Sequence, residues 1–389
     1  MNLGKLLIIS EEEIKLTESF ISTQGSALKS MYWDVSYLLG TNDSALFKKE
    51  NHVRLSRRPL PIGIVNRVVK FIRSLLLKDV NQALPEELKR WKNKIVENSP
   101  DLILVQFAST AIRILPVLED LKIPWVVQCH GYDVTQRCSN LGYRLALRQV
   151  FRKSNLIFGC SNFLCSVIKK YCASKDYHKI RVISPGFDES IFQNSNLEKN
   201  REFTFISVAR LTDVKGHDLT IEAFSKADLK AKLLIVGEGE EHESLQALIK
   251  DLKQEDRIFL LGSKNLDEVF QIIQESQVFI QSSRRSKSGA IEGLGLSSLE
   301  SQALGLPVIV SNSGGLGETC INGQTGLIYQ EGDVDELVLC MKKMFENIQM
   351  RTSMSKKART WSFENFSSAS QARKAGKYFS DLLGGSNEE

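Results

Sequence analysis

The sequence has few of the features that mark disordered, repetitive or membrane-spanning chains. It has only 8 prolines in 389 residues, and it contains no low-complexity segment or internal repeat. Its apolar runs, such as Leu102–Val105 and Trp125–Val127, are far shorter than the roughly 18 residues that a membrane-spanning helix needs. Apolar residues make up 42% and charged residues 25% of the chain, which is ordinary for a globular protein with a sizeable core.

A secretion signal and paired cysteines are also lacking. MNLGKLLIIS is followed directly by Glu11–Glu13, without the longer apolar core and small-residue cleavage site of a signal peptide. The 7 cysteines are an odd number, and no CxxC pair or Cys/His zinc spacing occurs. Cys129, Cys160 and Cys165 lie in or beside apolar segments, so we expect buried free thiols. We therefore expect a cytoplasmic protein.

The sequence lacks one motif of dinucleotide binding, and its one match to a metal-binding motif is explained by helix capping. No GxGxxG segment follows a strand candidate, which disfavours a nicotinamide-dependent enzyme. Asp333–Asp335 spells DVD, which matches the letters of a metal-binding DxD motif. It stands at the start of a predicted helix, where aspartates cap N–H groups and complement the helix dipole. We predict capping there, and we predict no metal site.

Charge is distributed unevenly along the chain. Residues 1–200 carry a net charge of +10 and residues 201–389 a net charge of −5. In residues 62–78, apolar side chains share one helical stripe, and Arg67, Lys70 and Arg73 lie off it. Such a helix either rests on an anionic membrane surface, peripheral to the inner face of the membrane, or packs its stripe on a core with a solvated basic face. Nucleic acid is not an expected partner, since no reader motif occurs and the second half is acidic.

Short apolar runs alternate with helix-length amphipathic segments, which indicates parallel sheets with helices on both faces. The alternation occurs in two series. The sequence therefore predicts an α/β protein of two doubly wound Rossmann-like domains that face each other across a cleft. We place the first domain at residues 1–190 and the second at residues 191–364. A final helical segment, residues 365–389, has no following strand to pack under and is expected to return to the first domain.

Eleven strands are predicted. In the first half they are Leu6–Ser10, Val35–Leu39, Leu102–Phe107, Trp125–Cys129, Leu156–Cys160 and Lys179–Ile183. In the second half they are Phe203–Val208, Lys232–Val236, Arg257–Leu261, Val278–Ser282 and Pro307–Ser311. The predicted helices of the second half are 217–227, 241–252, 266–276, 296–304 and 333–348, and the last helix covers about 367–383.

Polar, charged and glycine residues cluster just after these strands, where ligands bind in open parallel sheets. His130 follows WVVQC, and Arg210 and Lys215 follow FISV. Gly237 and Gly262 follow two further strands. Arg210 and Lys215 place positive charge where a phosphate would dock, although solvated surface cations give the same pattern. His130 suits hydrogen bonding or acid–base chemistry, and a structural histidine is the alternative.

The segment EGLGLSSLE, residues 292–300, carries two glutamates. Glycines precede a predicted helix start near Leu296, whose N-terminal N–H groups favour anions. Glu292 would stand before the helix and Glu300 one turn inside it. On a single helix their separation would be ~12 Å along the axis, too far for a carboxylate dyad. We expect the two carboxylates to contact different parts of one ligand, and exposed surface carboxylates are the alternative.

In order and spacing, these stretches resemble the retaining glycosyltransferases of family four, the glycosyl transferases group 1 with the GT-B fold. The resemblance is specific over about 130 residues of the second half. It is carried by FISVARLTDVKGHDLTIEAF, KLLIVGEGEE, RIFLLG and EGLGLSSLESQALGLPVIVSNSGGLGETCINGQTGLIY. The first half is more weakly similar, through CHGYDV, FGCSNFLCSVIKK and VISPGFDESIF. KLTESFI is similar to the start of members that build surface polysaccharides. SPGFD departs from the PNG that family members often have at this join.

The resemblance implies roles by position. Arg210 and Lys215 would bind the donor diphosphate, Glu300 the ribose hydroxyls and Glu292 the transferred sugar, with His130 contacting the sugar from the other domain. It implies further donor contacts from Gly237, Gly262 and the backbone of Gly293, Leu294, Gly295 and Leu296, and acceptor contacts from Thr17, Glu18 and Asp133.

The resemblance also implies a reaction. A hexose or N-acetylhexosamine would move from a UDP- or GDP-sugar to a saccharide or lipid-linked saccharide acceptor, with retention of configuration and without a metal cofactor. The setting would be O-antigen, capsule or exopolysaccharide synthesis. Two alternatives stay open: a sugar-nucleotide hydrolase or epimerase on a related fold, and a non-catalytic subunit that binds sugar nucleotide.

Overall fold

The computed structural model describes residues 3–10, 20–39, 52–54, 83, 85–192 and 202–384. The chain divides into two compact units. Unit 1 comprises Met1–Gly186 together with Gln371–Glu389, and unit 2 comprises Phe187–Ser370. The basic segment 62–78 and the predicted acceptor residues Thr17 and Glu18 lie outside the described residues.

Unit 1 is built on a seven-stranded parallel sheet with the order β3-β2-β1-β4-β5-β6-β7. Its strands are β1 (Gly4–Ser10), β2 (Trp33–Leu39), β3 (His52–Arg54), β4 (Leu102–Gln106), β5 (Trp125–Cys129), β6 (Leu156–Gly159) and β7 (Ile180–Val182). Its helices in chain order are α1 (Phe20–Ser30), α2 (Pro85–Asn98), α3 (Ala108–Leu121), α4 (Leu141–Lys153) and α5 (Asn162–Lys169).

Unit 2 has a six-stranded parallel sheet with the order β10-β9-β8-β11-β12-β13. Its strands are β8 (Thr204–Val208), β9 (Lys232–Val236), β10 (Ile258–Leu260), β11 (Val278–Gln281), β12 (Val308–Ser311) and β13 (Gly326–Tyr329). Its helices are α6 (His217–Ala227), α7 (His242–Asp251), α8 (Leu266–Glu275), α9 (Leu296–Ala303), α10 (Val334–Glu346) and α11 (Ile348–Phe366). A last helix, α12 (Ser368–Leu382), begins in unit 2 and continues into unit 1.

The predicted α/β class with two doubly wound sheets is confirmed. All eleven predicted strands are present, with ends within two residues of the prediction. Strands such as β4 and β5 are buried along their whole length, because helices cover both faces of each sheet. Three elements were not predicted: β3, β13 and α11. The stripe that α11 buries consists only of Met354, Ala358 and Ser362, so its sequence shows almost no apolar periodicity.

Two local predictions, the free thiols and the Asp333 cap, are also confirmed. All seven cysteines are free thiols, and Cys129, Cys160 and Cys165 are buried. Asp333 caps α10 by accepting a hydrogen bond from the backbone N–H of Glu336. Among the described residues, every helix is too short or too polar to cross a bilayer.

The strand order places a topological switch point in each unit. Chain connections leave in opposite directions from the neighbours β1 and β4 in unit 1, and from β8 and β11 in unit 2. Helices on the two sides diverge there, which opens a crevice at the carboxyl ends of the strands. The loops that carry Arg210, Lys215 and Glu292 follow β8 and β11. The unit 2 candidates therefore converge on one crevice.

The C-terminal helix α12 supplies part of the core of unit 1. Ala372, Ala375 and Phe379 are buried in the same cluster as β-strand residues of unit 1. The Phe379 ring packs edge-on against Trp33 at 5.6 Å between ring centroids and stacks on Phe158 at 5.8 Å. The last residues of the helix are thus a structural component of the unit that contains the first strand.

Replacing Phe379 with leucine is therefore expected to destabilise unit 1 by about 1–2 kcal/mol, because it removes ring contacts and leaves a partly filled cavity. Urea unfolding followed by tryptophan fluorescence measures this, since Trp33 contacts the ring. Lys377→Ala, at an exposed position of the same helix, is the matched control and should change stability by less than about 0.5 kcal/mol. Equal midpoints for the two variants would show that α12 does not support the core.

Candidate active site

The centre of the unit 2 crevice is an ion pair between Lys215 and Glu292. The Lys215 ammonium donates to Glu292 Oε2, and the two side chains are only 17% and 15% exposed. Lys215 ends a short 3-10 turn, Asp213–Lys215, in the loop after β8, whereas Glu292 lies in the loop after β11. The sequence predicted separate ligand contacts for these residues, and the structure shows that they also contact each other.

Neutral donors complete the environment of Glu292. Gln281 Nε2 at 3.2 Å and Ser283 Oγ at 3.3 Å approach the same carboxylate oxygen, Oε2. Burial raises the pKa of Glu292, but Lys215, the Ser283 hydrogen bond and the charge of Arg210 outweigh it and leave the pKa below its ordinary value. Glu292 is thus ionised at neutral pH. Its second oxygen, Oε1, has no hydrogen-bond partner in the described part of the chain.

Arg210 differs from Lys215 in having no protein anion of its own. Its side chain is exposed and makes no hydrogen bond or ion pair to the described residues, while its charge acts on Glu292. A guanidinium in this position keeps its forked set of donors available for two oxygens of an anion. Of these two cations, Lys215 is paired with a protein anion and Arg210 is not paired with any described residue.

A second arginine, Arg284, is neutralised by the protein. Its Nε and Nη2 donate to Asp213 Oδ1 at 3.0 and 2.6 Å, and its Nη1 donates to Asp218 Oδ2 at 2.7 Å. The backbone N–H of Lys287 donates to the other oxygen of Asp213. These bonds fasten the basic loop 283–291 to residues on either side of Lys215. The sequence showed that the loop is basic, but the pairing of Arg284 with two aspartates was not predicted. The sequence feature that could have indicated it is the pair Asp213 and Asp218, which flanks Lys215.

The EGLGLSSLE segment has the predicted form of a loop followed by a helix. Helix α9 begins at Leu296, and Gly295 caps it with φ of 100°, a left-handed conformation that favours glycine. The first N–H groups of a helix have no acceptor within the helix, so this end attracts anions. Gly293, Leu294 and Gly295 are buried, and Leu296 is partly exposed.

Glu300 occupies a different electrostatic environment from Glu292. It is partly exposed on α9, and no hydrogen bond or ion pair joins its carboxylate to the described residues. Burial without a compensating cation raises the pKa of Glu300 to about 7. The two glutamates of the segment therefore differ in charge: Glu292 is a fixed anion, and Glu300 titrates near neutrality.

The two predicted donor glycines have structural explanations. A Cβ atom on Gly237 would lie 1.9 Å from the carbonyl oxygen of Ala209, so the close approach of two loops requires glycine there. Gly262 accepts a hydrogen bond from the N–H of Gly237, and its own φ is 69°. Gly237 thus packs against the backbone of the loop that carries Arg210. Gly237 is partly exposed, and its contact with a donor stays a prediction.

In unit 1, His130 follows β5 and is enclosed by aromatic rings. The centroids of Phe20 and Phe107 lie 4.8 and 4.6 Å from the imidazole centroid. Nε2 lies 2.7 Å from Gln106 Oε1. Burial lowers the pKa of His130 to about 3, so the ring is neutral at physiological pH. His130 is thus suited to hydrogen bonding and not to acting as a cation.

Asp133, which the sequence assigned to acceptor binding, has another task. Its side chain is fully buried, and its oxygens accept hydrogen bonds from the N–H groups of Ala108, His130 and Gly131 at 2.8 to 3.1 Å. The carboxylate therefore ties the His130 loop to the start of α3. With no exposed surface it does not contact an acceptor directly, so this assignment is corrected to a loop-fixing role.

Comparison with known families agrees with this two-part architecture. Residues 18–191 match the family model described as Glycosyltransferase Family 4, and residues 188–361 match the model described as Glycosyl transferases group 1. The two models match the two halves of the chain in turn, and the two parallel sheets are those of the GT-B fold.

Curated relatives of this GT-B chain include polysaccharide enzymes. It is 28% identical over 212 residues to WcaL, a putative colanic acid biosynthesis glycosyltransferase of Salmonella typhimurium, covering 54% of this chain and 52% of WcaL. It is 26% identical over 257 residues to N-acetyl-alpha-D-glucosaminyl L-malate synthase of Bacillus anthracis, covering 64% and 65%. The chain thus spans less than two thirds of the length of these relatives.

Solved GT-B structures match nearly the whole chain. HepE of Anabaena, determined in complex with UDP, superposes with a TM-score of 0.78 at 16% identity, covering 98% of this chain and 100% of HepE. Sucrose-phosphate synthase of Thermosynechococcus elongatus gives a TM-score of 0.77 at 17% identity, covering 98% and 100%. At such low identity the similarity shows the fold alone.

Proposed function

We propose that this protein is a retaining glycosyltransferase that moves a sugar from a nucleotide diphosphate sugar to a saccharide or lipid-linked saccharide acceptor. The observation that carries the proposal is the arrangement at the unit 2 switch point. Paired Lys215 and Glu292, unpaired Arg210 and the N-terminus of α9 meet there. This combination supplies positive charge for a diphosphate next to a fixed carboxylate for sugar hydroxyls.

The chemistry needs positive charge on the leaving group. When the bond between the anomeric carbon and the phosphate oxygen breaks, its electron pair stays on the diphosphate. The acceptor hydroxyl forms the new bond to the anomeric carbon, and its proton passes to the released diphosphate. Arg210, Lys215 and the N-terminal N–H groups of α9 are already in position before the reaction. They stabilise the negative charge that develops on the diphosphate as the bond breaks. In this proposal they do so without a metal ion.

The two glutamates hold the two ends of the donor. Glu292 is ionised and has Oε1 available, so it accepts hydrogen bonds from hydroxyls of the transferred sugar. Glu300 lies a turn deeper on α9 and accepts the two ribose hydroxyls. Neither glutamate is assigned as a nucleophile. The anomeric configuration is then retained because the acceptor hydroxyl attacks the anomeric carbon on the same face from which the diphosphate departs.

The named relatives support a role in building surface polysaccharides. WcaL is named for colanic acid biosynthesis, and HepE was crystallised with UDP. We infer a hexose or N-acetylhexosamine as the transferred group and a UDP- or GDP-sugar as donor.

A ligand panel followed by a transfer assay tests the proposal. A UDP- or GDP-sugar should raise the melting temperature, since ligand binding to the folded state stabilises it. The same donor, with oligosaccharide or lipid-linked acceptors, should give a product whose anomeric configuration by NMR equals that of the donor. Rapid, complete release of free sugar without acceptor would instead show a hydrolase. Inverted product, or no response to any sugar nucleotide, would contradict the assignment.

The titration of Glu300 gives a pH-dependent prediction for donor binding. Its pKa in the free protein is raised to about 7, and hydroxyl donors favour the charged carboxylate, so the bound pKa is lower. Binding therefore releases a proton, and donor affinity should increase by about tenfold as pH rises from about 5 to about 7.5. Calorimetry in buffers of different ionisation enthalpy measures the released proton.

The ligand and the variants are chosen to isolate Glu300. A nucleotide sugar is used because its doubly esterified diphosphate does not titrate in this range. Glu300→Gln should abolish the proton release, and Glu255→Gln, at an exposed position of unit 2, should leave it unchanged. Proton release that persists in Glu300→Gln would show that the ribose assignment is wrong.

A further inference from the structure

A continuous chain of buried side-chain hydrogen bonds ends at His130. Three glutamines form it, and we call Gln24, Gln106 and Gln128 the glutamine relay. Each is at most 2% exposed. Gln106 Nε2 donates to Gln24 Oε1 at 2.9 Å, and Gln24 Nε2 donates to Gln128 Oε1 at 2.9 Å. Gln128 Nε2 donates to the main-chain carbonyl of Ile183 at 3.4 Å.

The direction of the glutamine relay is fixed at its far end. A main-chain carbonyl only accepts hydrogen bonds, so Gln128 must present its NH₂ group to Ile183 and its oxygen to Gln24. Gln24 must then donate to Gln128 and accept from Gln106. Reversing one amide would place oxygen against oxygen in a buried site and leave its partners unsatisfied.

The fixed direction determines the proton on His130. Gln106 uses its NH₂ group on Gln24, so its oxygen is what faces His130 Nε2 at 2.7 Å. Nε2 must therefore be the protonated nitrogen of the neutral ring. Nδ1 then carries a lone pair, and it has no hydrogen-bond partner among the described residues.

The surroundings of the ring keep this state in place. Phe20 and Phe107 lie against the imidazole and oppose its rotation. The lowered pKa, about 3, prevents protonation of Nδ1 at physiological pH. His130 as a residue is partly exposed, so it is not sealed off from a ligand. Nδ1 is thus an oriented acceptor to which no group in the described part of the chain donates.

We propose that the glutamine relay positions His130 as the Nε2–H tautomer, so that Nδ1 acts as a hydrogen-bond acceptor that selects a ligand group carrying O–H or N–H. The assignment of that group as a hydroxyl of the transferred sugar rests on the proposed function. The tautomer itself does not. Gln24, Gln106 and Gln128 are positioning residues that act through His130.

Nitrogen-15 NMR of selectively labelled histidine tests the tautomer directly. The chain has 5 histidines, and loss of a signal in His130→Ala identifies the one of interest. The spectrum of the wild type should show a protonated Nε2 and an unprotonated Nδ1 from about pH 5 to about pH 8. A proton on Nδ1 in the wild type would overturn the proposal.

Breaking the glutamine relay away from His130 tests its control of the ring. Gln128→Met has a similar shape but neither donates to Ile183 nor accepts from Gln24 in the same way. We expect the two ring-nitrogen shifts to move towards each other as the tautomers mix. Gln149→Leu, at an exposed position of α4, should leave them unchanged. If Gln128→Met does not fold, Gln24→Met breaks the same chain. An unchanged tautomer in the folded variants would refute the relay.

Donor analogues test the ligand side. Fluorine cannot donate a hydrogen bond, so one monodeoxyfluoro donor should lose about tenfold in kcat/KM beyond its inductive effect. The inductive effect of fluorine is the same for the wild type and for Gln128→Met. The additional loss of kcat/KM, which comes from the missing hydrogen bond to Nδ1, should therefore be smaller in Gln128→Met than in the wild type. Equal losses at every sugar position in both proteins would refute selection by Nδ1. If the wild type transfers no sugar at all, the proposed function fails, while the NMR result still decides the relay.

Discussion

Lys215→Ala is expected to lower kcat/KM by about 10²-fold to 10³-fold, the scale for losing a charge-stabilising donor. Two effects combine. The diphosphate loses a cation in the crevice, and Glu292 loses the partner that keeps its pKa low despite burial. Steady-state kinetics with the donor found in the ligand panel measure the loss.

A double variant separates the two effects of Lys215. In Lys215→Ala/Glu292→Gln the Glu292 carboxylate is gone, so removing Lys215 no longer leaves a buried anion without its partner. If Lys215 acts on the diphosphate, the double variant should stay well below Glu292→Gln alone. Lys226→Ala is the matched control, because this exposed lysine, among the described residues, pairs with Asp335 alone, at 3.3 Å. Activity of the double variant equal to that of Glu292→Gln would reduce Lys215 to a counter-ion for Glu292.

Arg210→Ala is expected to lower kcat/KM by about 10²-fold for a different reason. Arg210 has no partner anion in the described part of the chain, so its removal leaves no protein group unpaired. Lys215 still pairs with Glu292 in this variant, so apart from the weaker effect of the Arg210 charge on Glu292, the loss reports ligand contact. Folding stability should stay unchanged in thermal melts without ligand, in contrast to Lys215→Ala.

Arg210→Lys distinguishes charge from geometry. Lysine keeps the positive charge but not the planar fork, so a loss of about tenfold is expected if two oxygens are bound at once. Arg373→Ala, at an exposed position of α12, is the control. Turnover of Arg210→Ala within error of Arg373→Ala would remove Arg210 from the site.

The fold was largely predictable because most of its central strands are buried along nearly their whole length. Parallel strands covered on both faces appear as continuous apolar runs, and such runs indicated most of the predicted strands. Lys179–Ile183, KIRVI, is an exception with two basic residues. Helix α11 was missed because its buried stripe is narrow and its residues small, with Ala358 and Ser362 among them. Strand β13, GLIY, has only four residues, too few to separate from an ordinary loop by pattern.

The contacts within the site could be predicted only in part. Strand ends and the glycines of EGLGLSSLE indicated which loops meet. They did not show that Lys215 and Glu292, 77 positions apart, form a pair, or that Arg284 is bound by two aspartates. The glutamine relay had one visible signal. Gln106 and Gln128 are polar residues near the ends of two buried strands, and these strands pair them side by side in the sheet.

Helix α12 determines the order in which the molecule is completed during synthesis. Residues 187–370, the whole of unit 2, are translated before Ala372, Ala375 and Phe379, which fill part of the unit 1 core. A ribosome adds roughly 5–20 residues per second, so unit 2 has seconds in which to form its sheet while unit 1 still lacks these side chains. The half of the protein that is translated first is therefore the last to be finished.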